Sequence, residues 1–221
     1  MTCFLSPHSD DIVLSCSFHI QYEVFERPYF LVTVFSQSTY IDRSFEIADG
    51  SSSNVTKIRL GEDSRYAAKY NMNFNYLIYK DALLRTGFVC YDPEYPLDQN
   101  LINSITKKLL NYVQSNKVEN IIVQQPNGTK QHIYHRITYA AARQLCSELP
   151  AIKLYTVDDF PYSFLENEKS KISTGHRISE LSISELLSDL KIYKSQYCQY
   201  FENQVRLLSK KINYELRYFK K

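Results

Sequence analysis

An α/β fold follows from three observations: short apolar, β-branched runs recur along the chain, segments with helical apolar spacing separate them, and His and Asp clusters come directly after runs of the first kind. Strands separated by helices form right-handed crossover units, so the expected architecture is a Rossmann-like three-layer α/β/α sandwich around a mostly parallel sheet, plus C-terminal helices. One domain is expected over 1–221, with about 178–221 as a C-terminal helical extension.

The elements follow in order. Cys3-Phe4-Leu5 is an apolar run that stops at Ser6-Pro7, because proline disfavours continuing a strand, and a polar His-Ser-Asp-Asp cluster comes next. From Asp11 the apolar positions Ile12, Val13, Cys16 and Ile20 have helical spacing, which puts two aspartates at a strand-to-helix corner. Tyr29 to Phe35 is a buried strand, and the Ser-rich stretch from Ser36 to Thr56 is a surface loop. A helix from about Lys57 to Tyr70 and a strand from Asn73 to Tyr79 follow. The helix from about Leu97 to Ser115 sets Leu101, Ile102, Ile105, Leu109 and Leu110 on one face, and Glu119 to Gln124 is the clearest strand. A turn at Pro126-Asn127-Gly128 leads to His132 and His135, and a helix runs from Ile137 to Leu149. Ile152 to Val157 is the next strand, and the Tyr-rich remainder from about Ile178 is amphipathic and helical.

Composition narrows the function. A net charge of +2, from 26 Lys and Arg against 24 Asp and Glu, gives no electrostatic reason for a nucleic-acid partner. The basic end with Lys210, Lys211, Arg217, Lys220 and Lys221 is read as a solvated helix face. Five scattered cysteines without a C-x-x-C pair read as free thiols in a reducing cell. No leader or membrane-length apolar run is evident, so a cytoplasmic location is expected and the sequons at Asn54 and Asn127 are accidental. A dinucleotide-binding domain is excluded because no glycine lies between Met1 and Asp49 to form a G-x-G-x-x-G turn.

Chemistry concentrates in two segments. In open α/β sheets the ligand crevice lies beyond the carboxyl ends of the strands, where both the His8 to Asp11 and the His132 to His135 clusters fall. His8, Asp11 and His135 form a two-His, one-carboxylate set that leaves a position open, as catalytic zinc sites do, with a metal-bound water as nucleophile. Asp10, beside the metal but not on it, is placed to act as general base, and His132 to stabilise the oxyanion or protonate the leaving amine. Blander readings stand beside these. Asp11 could cap the helix, and the two histidines could be surface residues near a helix start. Arg59 and Glu62 could form an i, i+3 ion pair, Asp81 could be a turn residue, and the 19 tyrosines could cover the sheet or an oligomer interface. His19 and His176 are read as surface residues.

The motifs together resemble a known family. Ser6-Pro7-His8-Ser9-Asp10-Asp11 resembles the pHPDDE signature, and His132-Ile133-Tyr134-His135 the later HPDH signature, of the LmbE/PIG-L-like N-deacetylases. Arg59-Leu60-Gly61-Glu62 with Ala67-Ala68 resembles the family's R-x-x-E-x-x-x-A helix, and Lys80-Asp81 its Asp-containing segment after the third strand. The resemblance spans roughly residues 3–160. It implies one Zn²⁺ per chain on His8, Asp11 and His135, Asp10 as base, His132 at the oxyanion, and Arg59 and Asp81 gripping the substrate. The reaction implied is removal of an N-acetyl group from an N-acetylglucosamine-type conjugate, with a homo-oligomer possible. Hydrolysis of another amide, or a catalytically silent sugar-binding relative, are the alternatives. Three positions depart from the pattern: Ser9 stands for Pro, Ile12 for Glu, and Tyr134 for the Asp between the two histidines.

Overall fold

The computed structural model describes residues 1–126, 130–160, 172–177, 179–209 and 215–220, the backbone alone at 172–177, 208–209 and 215–220. Its strands are β1 (Thr2–Ser6), β2 (Tyr29–Thr33), β3 (Met72–Tyr76), β4 (Asn120–Gln125), β5 (Lys153–Asp158), β6 (Ile172–Arg177) and β7 (Glu215–Lys220). They form one sheet in the order β3-β2-β1-β4-β5-β7-β6. The pairs from β3 to β5 are parallel, whereas β7 runs antiparallel to both β5 and β6.

Alternation across the sheet builds two cores. Phe4, Leu31 and Ile122 point to one face, and Cys3, Leu5, Val32, Ile121 and Val123 to the other. The first face packs under α1 (Asp11–Gln21), α2 (Ser52–Lys69) and α6 (Glu180–Leu190), with Val205 of α7 (Gln199–Ser209) joining the same core. The second packs under α4 (Gln99–Ser115) and α5 (Ile133–Glu148). Strands buried on both sides explain why β1, β2 and β4 read as near-continuous apolar runs.

Helix starts are set by side-chain caps. Ser51 accepts the Asn54 amide and so begins α2 earlier than the expected Lys57; the loop of residues 36–51 is correspondingly shorter. Asp81 caps the short α3 (Ala82–Thr86) and Asp98 caps α4. Helix α5 begins at Ile133, not Ile137: the imidazole of His132 accepts the Tyr134 amide, which puts His135 inside the first turn. Beyond residue 178, α6 and α7 are followed by strand β7 where the sequence suggested helix, because pairing with β5 and β6 overrides a weak local preference. His19 corrects the reading above: it is 4% exposed, its ring stacked on Phe25. The turn at residues 127–128, the side chain of His176 and the basic end at 210–221 lie outside the described side chains. All five cysteines are free, and among the described residues no helix is long and apolar enough to cross a membrane.

The topology positions the site. From β1 the chain winds outward to β2 and β3, then returns to add β4 and β5 on the other side, so the switch point lies between the C-terminal ends of β1 and β4.

Candidate active site

The loop after β1 is shaped by its own hydroxyl. Ser6 Oγ donates to the His8 carbonyl at 2.6 Å and accepts the Ile12 amide at 3.0 Å, folding the chain back into α1. Asp10 then takes φ 88°, a left-handed conformation that short polar side chains tolerate better than most. Although it sits at the N-cap of α1, Asp10 makes no capping hydrogen bond, so its carboxylate is not consumed by the helix.

One carboxylate oxygen gathers the cluster. Asp11 Oδ2 accepts the His8 amide at 2.8 Å and lies 3.1 Å from both His8 Nδ1 and His135 Nε2. Donor atoms about 2.1 Å from a tetrahedral zinc ion stand roughly 3.4 Å apart, so these three atoms have a spacing that suits one metal ion. His132 adds a third imidazole, its ligand atom lying within 4.8 Å of those of His8 and His135. Residues, charges and spacing therefore fit the metal that the sequence pattern implies.

A residue that the sequence reading missed supports the set. Asp159, just past β5 and 1% exposed, holds His135 Nδ1 with both oxygens at 2.8 and 2.9 Å, which turns Nε2 toward Asp11. Carboxylates in this relation to metal-ligating histidines fix ring orientation and raise basicity. Its available signal was position, an acid at the carboxyl end of a parallel strand.

Electrostatics follow from burial and neighbours. Burial and the adjacent Asp11 push the Asp10 carboxyl well above the usual range, with Arg59 opposing. Burial would raise Asp11 too, but His135 and His8 outweigh it and hold it low. For His135, burial is overcome by Asp11 and Asp159, so its pKa is raised. His132 goes the other way: burial and the neighbouring histidines keep it neutral.

All seven residues singled out in the sequence, His8, Asp10, Asp11, Arg59, Asp81, His132 and His135, line one cavity of about 170 Å³. Arg59 does not turn to Glu62. It donates to Ser38 Oγ at 2.7 Å and the Ser9 carbonyl at 3.1 Å, approaches Asp10 Oδ1 at 3.5 Å, and leaves its Nε–H without a hydrogen-bond partner. Glu62 instead accepts the amide and hydroxyl of Ser195. Asp81 both lines the cavity and caps α3 through Leu84. Tyr40, Tyr91, Gln196 and Phe201, none of them singled out by sequence, also line it. Tyr134 packs its ring on Phe35 at 4.0 Å and leaves its hydroxyl without a hydrogen bond.

Comparison with known proteins bears on the fold and the family. By sequence, none of the curated proteins matches the chain. Among solved structures, a deacetylase of teicoplanin biosynthesis aligns over 99% of this chain and 96% of its own, at 14% identity and a TM-score of 0.70. The A40926 pseudoaglycone deacetylase aligns over 98% and 95%, at 17% identity and 0.68. The N,N′-diacetylchitobiose deacetylase of Pyrococcus horikoshii aligns over 100% and 83%, at 15% identity and 0.69. At such identities these likenesses establish the fold. The sequence model "PIG-L: GlcNAc-PI de-N-acetylase" matches residues 3–146, so the chain belongs to the PIG-L family.

Proposed function

We propose that the protein hydrolyses the N-acetyl group of an N-acetylglucosamine-type amino-sugar conjugate, releasing acetate and a free amine. The observation that carries this reading is that Asp11 Oδ2 lies 3.1 Å from both His8 Nδ1 and His135 Nε2, with the carboxylate of Asp10, which makes no helix-capping bond, beside them. His8, Asp11 and His135 would hold one Zn²⁺, which when bound acidifies water and polarises a carbonyl.

The chain's own residues divide the remaining work. Asp10 takes the proton of the attacking water, and its buried carboxyl is suited to passing that proton to the departing nitrogen. His132 accepts the Tyr134 amide on Nδ1, so the neutral ring carries its proton on Nε2, where it can donate to the developing oxyanion. With a tyrosine at position 134, no acid sits between the histidines to charge His132, which favours oxyanion stabilisation over proton donation for that ring. Arg59 and Asp81 would engage polar groups of the sugar, and Tyr40, Tyr91 and Phe201 would flank the rest of the conjugate. Five free thiols suit a reducing, cytoplasmic setting.

The test joins elemental analysis to acetate release from a panel of N-acetylglucosamine conjugates. Bound zinc with acetate release is the expected result; zinc without acetate would favour another amide or a silent binder, and failure to take up metal on reconstitution would overturn the reading. Asp10→Asn is expected to keep its metal and lose nearly all turnover, whereas His135→Ala loses both.

A further inference from the structure

Asp63 is a fully buried carboxylate that the proposed chemistry leaves unused, yet it stands beside the residues which that chemistry needs. Its Oδ2 accepts the hydroxyls of Ser9 and Thr33, both at 2.8 Å, and its Oδ1 accepts the hydroxyl of Tyr193 at 3.0 Å. A buried carboxylate is costly unless its oxygens are satisfied, and here three hydroxyl donors converge on it. A buried polar network whose members are all satisfied rigidifies the groups that it joins.

Ser9 is what it fixes. The residue lies between His8 and Asp10, is 1% exposed, and is gripped twice from α2: its hydroxyl by Asp63 and its carbonyl by Arg59 at 3.1 Å. Arg59 and Asp63 are i, i+4 neighbours on one helix face, so one helical turn holds both polar ends of Ser9. Thr33 ends β2 and is the register partner of Ser6, so the same carboxylate oxygen also ties α2 to the strand beside the loop. The position at which the family resemblance expects a rigid proline thus holds a serine immobilised from outside.

The remaining oxygen reaches a distant part of the chain. Tyr193 is fully buried between α6 and α7, and Ser195 two residues later satisfies Glu62, so adjacent acids on α2 are both capped by the segment 193–195. We infer that Asp63 is a positioning residue that fixes the left-handed backbone of Asp10 through Ser9, and that Tyr193, outside the matched residues 3–146, completes this clamp. The inference rests on the base role proposed for Asp10, so its test needs one arm that does not depend on turnover.

Ser9→Ala and Tyr193→Phe each remove a single hydroxyl and leave the surrounding packing in place. In the zinc-loaded full chain, each is expected to speed hydrogen exchange at residues 8–11 about tenfold while the amides of β4 keep their protection. With N-acetylglucosamine and N,N′-diacetylchitobiose as probes, kcat should fall about 10- to 100-fold, with KM within about twofold and metal content unchanged, as for a base displaced by about 1 Å. The double variant should be about as slow as the slower single, as for residues acting as a unit. Unchanged exchange at 8–11 in both single variants would overturn the clamp, and faster exchange with native kcat would overturn its catalytic consequence. A wild-type protein that releases no acetate would reject the deacetylase reading instead, and the exchange arm would still decide the clamp.

Discussion

At the scale of single residues, Asp159 shows both what spacing in a sequence can reveal and what it cannot. His8, Asp10 and Asp11 were legible because three polar groups directly follow an apolar run, and His132 and His135 because they recur after the clearest strand. Asp159 is 24 residues from the histidine it holds, and Asp63 joins Ser9 across 54, so no local pattern announces either. His19 was misjudged for a related reason: on α1 it falls on the inward side, a placement that its residue type argues against. Asp159→Ala is expected to weaken zinc binding about 10- to 100-fold, because His135 loses the group that orients it. Competition with a chromophoric chelator reads this directly, and native affinity in the variant would refute the orienting role.

Whole elements were read best where periodicity is strong. Helix α4 was foreseen nearly to its ends because its apolar positions repeat on one face, and Ile105 and Leu109 are indeed fully buried under the sheet. Ile105→Ala should therefore cost about 2–5 kcal/mol in urea unfolding, whereas Lys107→Ala on the exposed side should stay within roughly 0.5 kcal/mol. Asp98→Ala should cost about 1 kcal/mol, since it deletes the cap that accepts the Leu101 amide. Boundaries set by tertiary contacts were less legible. Nothing in ordinary capping preference favours His132 as an N-cap, and strand β7 exists because β5 and β6 offer it partners.

For the whole molecule, the buried Asp63 contributes a pH dependence of stability opposite in direction to that of a carboxylate held low, such as Asp11. Burial pushes Asp63 from 3.8 up to about 6, against the hydrogen bonds from Ser9, Thr33 and Tyr193. A carboxyl raised in the folded state binds its proton more tightly there than in the unfolded chain. Its contribution is therefore complete below about pH 4 and is lost as pH rises through about 6. The size is roughly 3 kcal/mol, at about 1.4 kcal/mol per pKa unit. Asp63→Asn should flatten that portion of the stability profile, and an unchanged slope between pH 4 and 6 would contradict it. The layered α/β architecture, by contrast, could be read from the alternation of elements alone, because burying both faces of a parallel sheet leaves few other arrangements.

The route by which Tyr193 reaches Asp63 also bears on how the protein comes into being on the ribosome. The two residues are 130 positions apart, which at about 5–20 residues per second separates their synthesis by roughly 6 to 26 seconds. At the start of that interval the loop after β1 has been made, but β4 and Asp159 have not, and the segment around Tyr193 is absent until its end. A nascent or truncated chain is thus expected to carry the loop of residues 8–11 without the Tyr193–Asp63 contact that steadies it.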